Sequence, residues 1–171
     1  YYHPSNSYIY LYGDMDVKER LEWMDRAYLS AYESMEIDSK IPLQKPFDAM
    51  KFVETTFPIT DDDPEENNTY LSYNMVIADV LDPTLYQAFT VLDYVLVSAP
   101  GAPVRKALID AGIGQDVYGS YENEMLQPFF SIVAKNANKG DKDRFVRIIE
   151  DTLQNLVENG LKKDSLLAGI N

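Results

Sequence analysis

The sequence predicts an α+β fold, a mainly antiparallel sheet with helices packed on one face. Three observations predict it. Strand-like runs come in pairs between helical stretches instead of alternating singly with them. Each helical stretch carries its apolar residues on one stripe and so has one face to bury. The 171 residues are 46% apolar, enough for one well-buried core or a core with an appended piece.

Asn6–Tyr12 reads as a strand from Tyr8, Ile9, Tyr10 and Leu11, and Gly13 breaks it. Asp16 and Glu19 form a capping-box-like pair before a helix whose Val17, Leu21, Met24, Tyr28, Ala31 and Met35 predict one buried face. Residues 36–48, with Pro42 and Pro46 and no periodicity, read as a linker. Lys51–Ile59 and Thr69–Ile77 read as two neighbouring strands joined by the acidic loop Asp61–Glu66. Asp82-Pro83 supplies an N-cap with proline at the first helical position, and Leu85, Phe89, Leu92 and Leu96 continue one face. After Pro100, Gly101 and Pro103, a short helix runs through Leu108 and ends at Gly112, where a left-handed residue is expected. Ile113–Tyr121 and Pro128–Lys135 form a second strand pair. Asp141 then caps a helix carrying Phe145, Ile148, Ile149, Thr152 and Leu156, closed by Gly160, and a last helix begins near Lys162.

The chain has 28 acidic and 15 basic residues, a net charge of -13. Nucleic acid and anionic membrane surfaces are repelled by such a chain, and a cationic partner suits it better. No apolar run is long enough to span a bilayer, and Tyr1-Tyr2-His3-Pro4 has no basic region followed by an apolar stretch. With no cysteine, disulfide and thiolate chemistry are excluded; a reducing compartment fits, the bacterial cytoplasm or, in a eukaryote, the mitochondrial matrix.

A catalytic zinc takes three protein ligands, usually including two histidines, and this chain has one histidine, His3. No metal site and no catalytic residue is therefore expected here, and Ser/His/Asp and Cys/His machinery is equally disfavoured. The acidic loop lacks the ligand spacing and central glycine of a calcium loop and reads as a solvated turn. Gly112-Ile113-Gly114 follows a helix and enters a strand, the reverse of a dinucleotide fingerprint, so it reads as a cap. The 13 tyrosines lack basic neighbours for nucleic-acid stacking and read as strand-face packing. Ile113–Tyr121, with Gly114 and Gly119, is the one segment whose backbone another chain can approach, as in strand addition. On the residue pattern alone, a bulge or twist in an ordinary strand is the stronger reading.

Tyr2-His3-Pro4-Ser5-Asn6 before an aromatic run, Tyr12-Gly13, Leu81-Asp82 with Ala88-Phe89, Ser98–Pro103 with Ala107-Leu108-Ile109, and Ala111-Gly112-Ile113-Gly114 follow one another along nearly the whole chain. In that order they resemble presequence proteases of the pitrilysin superfamily of zinc metallopeptidases, and the extent resembles the segment called the peptidase M16 inactive domain. The resemblance implies a truncated α/β roll, one of four enclosing a chamber in which unstructured peptides are cut. Zinc in the full-length parent is bound by the preceding domain through His-x-x-Glu-His, a motif absent here. It also implies that residues 1–35 are the closing strand and helix of that preceding domain, with 36–48 as linker and 49–171 as the non-catalytic roll. Partners implied are other domains of the same polypeptide and unstructured, basic peptides. Related insulin-degrading enzymes anchor peptide by strand addition, and the matching positions here are Val97, Val117 and Gly119; the family has glycine where this chain has Val97. An alternative implied by the same superfamily is a structural, non-peptidase subunit that acts through protein interfaces.

Overall fold

The computed structural model describes Tyr1 through Ile170. The chain divides into two compact units, Tyr1–Lys45 and a second that begins at Pro46. In the first, His3 Nδ1 accepts from the Ser5 N–H (3.1 Å), and His3 and Tyr28 both meet the Tyr32 ring edge-on, at 5.3 and 5.2 Å between centroids. Asp16 Oδ1 accepts from the Glu19 N–H (3.0 Å) and opens helix α1, Val17–Ala27. The predicted capping pair is therefore formed, but α1 is shorter than the stripe from Val17 to Met35 suggests.

Two expectations fail in this unit. No strand forms over Asn6–Tyr12, where Tyr8 is fully exposed, because a strand is stable only when its backbone is paired and the unit offers no partner strand. The helix buries no face either: Val17 and Leu21 are half exposed, and no residue of Tyr1–Lys45 is buried.

The second unit is an α+β fold. Strands β1 (Thr69–Val76), β2 (Asp116–Glu122) and β3 (Phe129–Ala137) form an antiparallel sheet in the order β1-β3-β2. β2 and β3 pair as expected, in unbroken register from Asp116↔Lys135 to Glu122↔Phe129. Lys51–Ile59 is not a strand, and β1 pairs instead with β3, from Thr69↔Ala137 to Val76↔Phe129. Phe57 is used as a ring contact, edge-on to Tyr70 at 5.8 Å, and Val53 is left exposed. Asp63 closes the acidic turn locally: its Oδ2 accepts from Thr60 N–H and Oγ1–H, which holds its carboxyl below the ordinary value.

Helix α2 (Pro83–Asp93) starts where the sequence places it, because Asp82 Oδ1 accepts from the N–H groups of both Thr84 and Leu85 (2.9 and 3.0 Å). Removing this cap in Asp82→Ala is expected to cost about 0.5–2 kcal/mol in urea unfolding. An unchanged midpoint would show that the cap contributes nothing. A π-helical turn, Tyr94–Ser98, follows, and then α3 (Pro103–Asp110). Gly112, at φ +71°, ends α3 with Ile113 N–H donating to Leu108 O (3.0 Å).

Asp141 precedes α4 (Lys142–Asn159), but its carboxylate takes no helix N–H; it accepts from Arg144 Nη1 at 3.0 Å instead. Arg144 Nη2 donates to Ala111 O, which ties the start of α4 to the end of α3. The stripe on α4 buries Phe145 and Ile149. Helix α5 spans Lys163–Ile170. The core lies on one face of the sheet. Phe130, Ile132 and Ala134 of β3 and Val117 of β2 meet Val97, Val104, Leu108, Phe145 and Ile149 there.

Candidate functional site

The sheet has two outer strands, β1 and β2, and each has one edge outside the ladder. They differ in quality. The register of β1 shifts between Thr69 and Leu71, and such irregularity blunts an edge, whereas β2 is regular along its whole length.

Alternation along β2 places Val117, Gly119 and Tyr121 on the helical side and Asp116, Tyr118, Ser120 and Glu122 on the other. Val117 is fully buried beneath the helices. Val97, from the π-helical turn, is also fully buried, and its Cβ lies 3.1 Å from the place a Cβ on Gly119 would take. The fold thus brings Val97 and Gly119 together, with Val117 two residues along the same strand face. The valine side chains belong to the core; what this part of β2 presents at its edge is backbone.

Tyr121 continues the row into an aromatic group. Its ring is 5.6 Å from Phe89 and 6.1 Å from Tyr86, and Phe89 in turn is 6.0 Å from Phe130. Burial, with a smaller effect of Tyr86, raises the Tyr121 phenol above its ordinary pKa. On the opposite face, Asn74, Ser131 and Ser120 fall in one line across the three strands, and Asn74 Oδ1 accepts from Ser131 Oγ (2.5 Å) and Ser72 Oγ (3.0 Å).

One ionisable residue in this region escaped the reading of the sequence. Asp93, at the last position of α2, accepts from Ser98 Oγ at 3.1 Å through Oδ2. Its Oδ1 is enclosed and lies 2.6 Å from the Cβ position of Gly119. Burial raises its carboxyl above the ordinary range, and the Ser98 bond opposes that. The signal was present: an acid sits inside the apolar run from Phe89 to Val97, with a hydroxyl five residues on.

No three His, Cys, Asp or Glu side chains converge on a possible metal position among the described residues. The Nδ1 of His3 already accepts from the Ser5 N–H, and His3 belongs to no group of three such side chains among the described residues. The described residues do not fit a zinc ion. Nor is any helix long and apolar enough to cross a membrane among the described residues.

Comparison with known proteins agrees with the order of landmarks. A family described as the peptidase M16 inactive domain matches residues 1–171. Protein HypA of Clostridium perfringens is 44% identical over the whole chain, which covers 18% of that protein. Presequence protease 1, chloroplastic/mitochondrial, of Arabidopsis thaliana is 32% identical over the whole chain and 16% of its own length. Mitochondrial presequence protease of Danio rerio is 27% identical over 98% of the chain and 17% of its own length. The chain therefore spans less than a fifth of each of these relatives. The match runs along its full length, and the chain belongs to the peptidase M16 inactive domain family.

Proposed function

We propose that this domain forms part of the wall of a peptidase chamber and holds extended peptide by strand addition to the free edge of β2. The observation that carries the reading is the regular, unbulged edge of Asp116–Glu122, hydrogen-bonded on one side only and backed by the helices through Val97 and Val117. An extended segment laid beside it gains main-chain hydrogen bonds with little demand on its sequence. That suits a protein that handles many unstructured peptides. Val97, Val117 and Gly119 act here by shaping and supporting the edge, and Glu122 adds a carboxylate beside it, while Asp116 is paired with Arg105. With a net charge of -13, the chain favours basic peptides.

In the longer protein the zinc, the cutting chemistry and the other chamber walls belong to other domains. We assign residues 1–35 to the preceding domain, 36–48 to the linker and 49–171 to the non-catalytic roll. The lack of any buried residue in Tyr1–Lys45 supports this, since a unit with no core of its own is stable only against a partner.

The test is best made on the ligand. Pro at Gly119 would place ring atoms against Asp93 and Val97, so a loss of binding in that variant would have two explanations. A basic, unstructured peptide titrated into the chain by calorimetry avoids this. Methylating alternate backbone nitrogens of the peptide removes the donors on one side, and the two alternate patterns remove opposite sides. One pattern is expected to weaken binding by at least about tenfold, as the loss of two or more main-chain bonds implies, and the other to leave it near the parent value. Equal affinities for all three peptides would rule out strand addition and leave family membership untouched.

A further inference from the structure

Helix α2 does not end as an α-helix. Ala99 N–H donates to Tyr94 O at 2.8 Å, a five-residue spacing that widens the turn over Tyr94–Ser98. Asp93 and Ser98 are also five residues apart. On an α-helix of 3.6 residues per turn their side chains would diverge by roughly 140°. Across the wider turn they stack, and Ser98 Oγ donates to Asp93 Oδ2. The pair is a side-chain staple that only the wide turn permits.

The same carboxyl group has a second contact. Its Oδ1 is shut off from solvent, has no hydrogen-bond donor among the described residues, and presses on Gly119 of β2. Val97, four residues along, presses on the same glycine. One side chain thus closes the turn and seats it on the outer strand.

We propose that Asp93 is a proton-responsive positioning residue: neutral, it seats the π-helical turn firmly on Gly119, and ionised, it loosens that seat and the strand β2 beneath it. An enclosed carboxylate oxygen without a donor is costly to charge, and opening the contact lets water reach it. In the closed state burial raises Asp93 above the ordinary carboxylate pKa, with the Ser98 bond pulling the other way. In the open state it titrates near the ordinary value. The closed state therefore keeps its proton to higher pH. Its stability over the open state is complete below the ordinary carboxylate pKa and falls as pH rises from there through the raised value.

Neighbouring charges do not set this balance. On the helical side of β2 the titratable neighbour is Tyr121, while Asp116, Tyr118 and Glu122 lie on the other face of the sheet. On α3, Arg105 is paired with Asp116 and Lys106 with Asp110. Lys163 and Asp164 open α5, more than a turn before Gly169, the residue that meets Val91, Tyr94 and Val95. Tyr86 and Tyr94 are the titratable groups on its own helical segment. Burial and Ser98 are the causes that act on Asp93.

The inference stands whether or not peptide adds to β2, and hydrogen exchange tests it on the chain alone. Protection factors of the β2 amides, followed from the ordinary carboxylate range to neutrality, are expected to fall with rising pH by up to about tenfold per unit inside the window, while those of β1 stay level. Asp93→Asn should hold β2 protection high and level. Ser98→Ala should move the fall to higher pH, because the bond that favours the charged form is gone. The same β2 profile in wild type and Asp93→Asn would overturn the proposal. So would an Asp93 carboxyl carbon that titrates, by NMR on the wild-type chain, at the ordinary carboxylate value; this second measurement needs no variant.

Discussion

Phe130→Ala is expected to lower the unfolding free energy by about 3–5 kcal/mol, the largest loss from any single truncation in the sheet. Phe130 sits on the central strand β3, is 1% exposed, and has neighbours on both sides in register, Met75 on β1 and Tyr121 on β2. Its ring also meets Phe89 of α2 at 6.0 Å. Truncation removes one side of that aromatic contact and leaves a cavity where sheet and helices meet. Backbone ladders on both sides of β3 hinder the collapse that would fill it. Denaturant unfolding with an unchanged slope would measure the loss. A change below about 1 kcal/mol would mean that the core relaxes around the site and that β3 is not its centre. Phe129, the next residue, points to the other face and is only partly buried, so Phe129→Ala should cost clearly less.

The strand over Pro128–Lys135 was legible in the sequence, but the contrast between its neighbouring phenylalanines was not, because alternation puts them on opposite faces and both faces carry apolar residues. Local chemistry was legible at several helix ends, though Asp141 accepts from Arg144 instead of capping α4. Asp82-Pro83 fixes the start of α2 because the cap lies within three residues of the groups it satisfies, and Gly112 fixes the end of α3 because one left-handed residue suffices. Pairing over distance was not legible. Lys51–Ile59 has the aromatic and branched residues of a strand, but those residues state only that a half-buried surface would suit them. The partner of β1 proved to be β3, some sixty residues away, and no pattern within either run names the other. Asn6–Tyr12 fails for the same reason, with no strand in its unit to complete it. The wide turn after Asp93 was hidden because Leu92 and Leu96 keep α-helical spacing, so the stripe reads through it unchanged. For the site, the sequence marked Val97, Val117 and Gly119 through family resemblance, whereas Asp93 had to be found from its enclosure.

Gly119→Ala is the second large effect, expected at about 1–3 kcal/mol of destabilisation. A methyl group there would lie 2.6 Å from Asp93 Oδ1, 3.1 Å from Val97 Cβ and 3.2 Å from Val97 Cγ2. A strand glycine replaced by alanine would ordinarily gain a little from the lower entropy of the unfolded chain, so the sign of the result separates close packing from backbone freedom. Asp93 can swing aside only by giving up Ser98, and Val97 cannot retreat because it is fully buried. The double variant Asp93→Ala, Gly119→Ala should therefore be less destabilised than the sum of its parts by at least about 0.5 kcal/mol, the range typical of residues in contact. Additivity would mean that the clash is with Val97 alone; a neutral Gly119→Ala would mean that turn and strand are not in close contact at all. The outcome also bears on peptide capture. The glycine is required on the helical side of β2 by a contact inside the domain, so it needs no ligand to explain it, and a peptide at this strand is left with the backbone of the free edge as its place to bind.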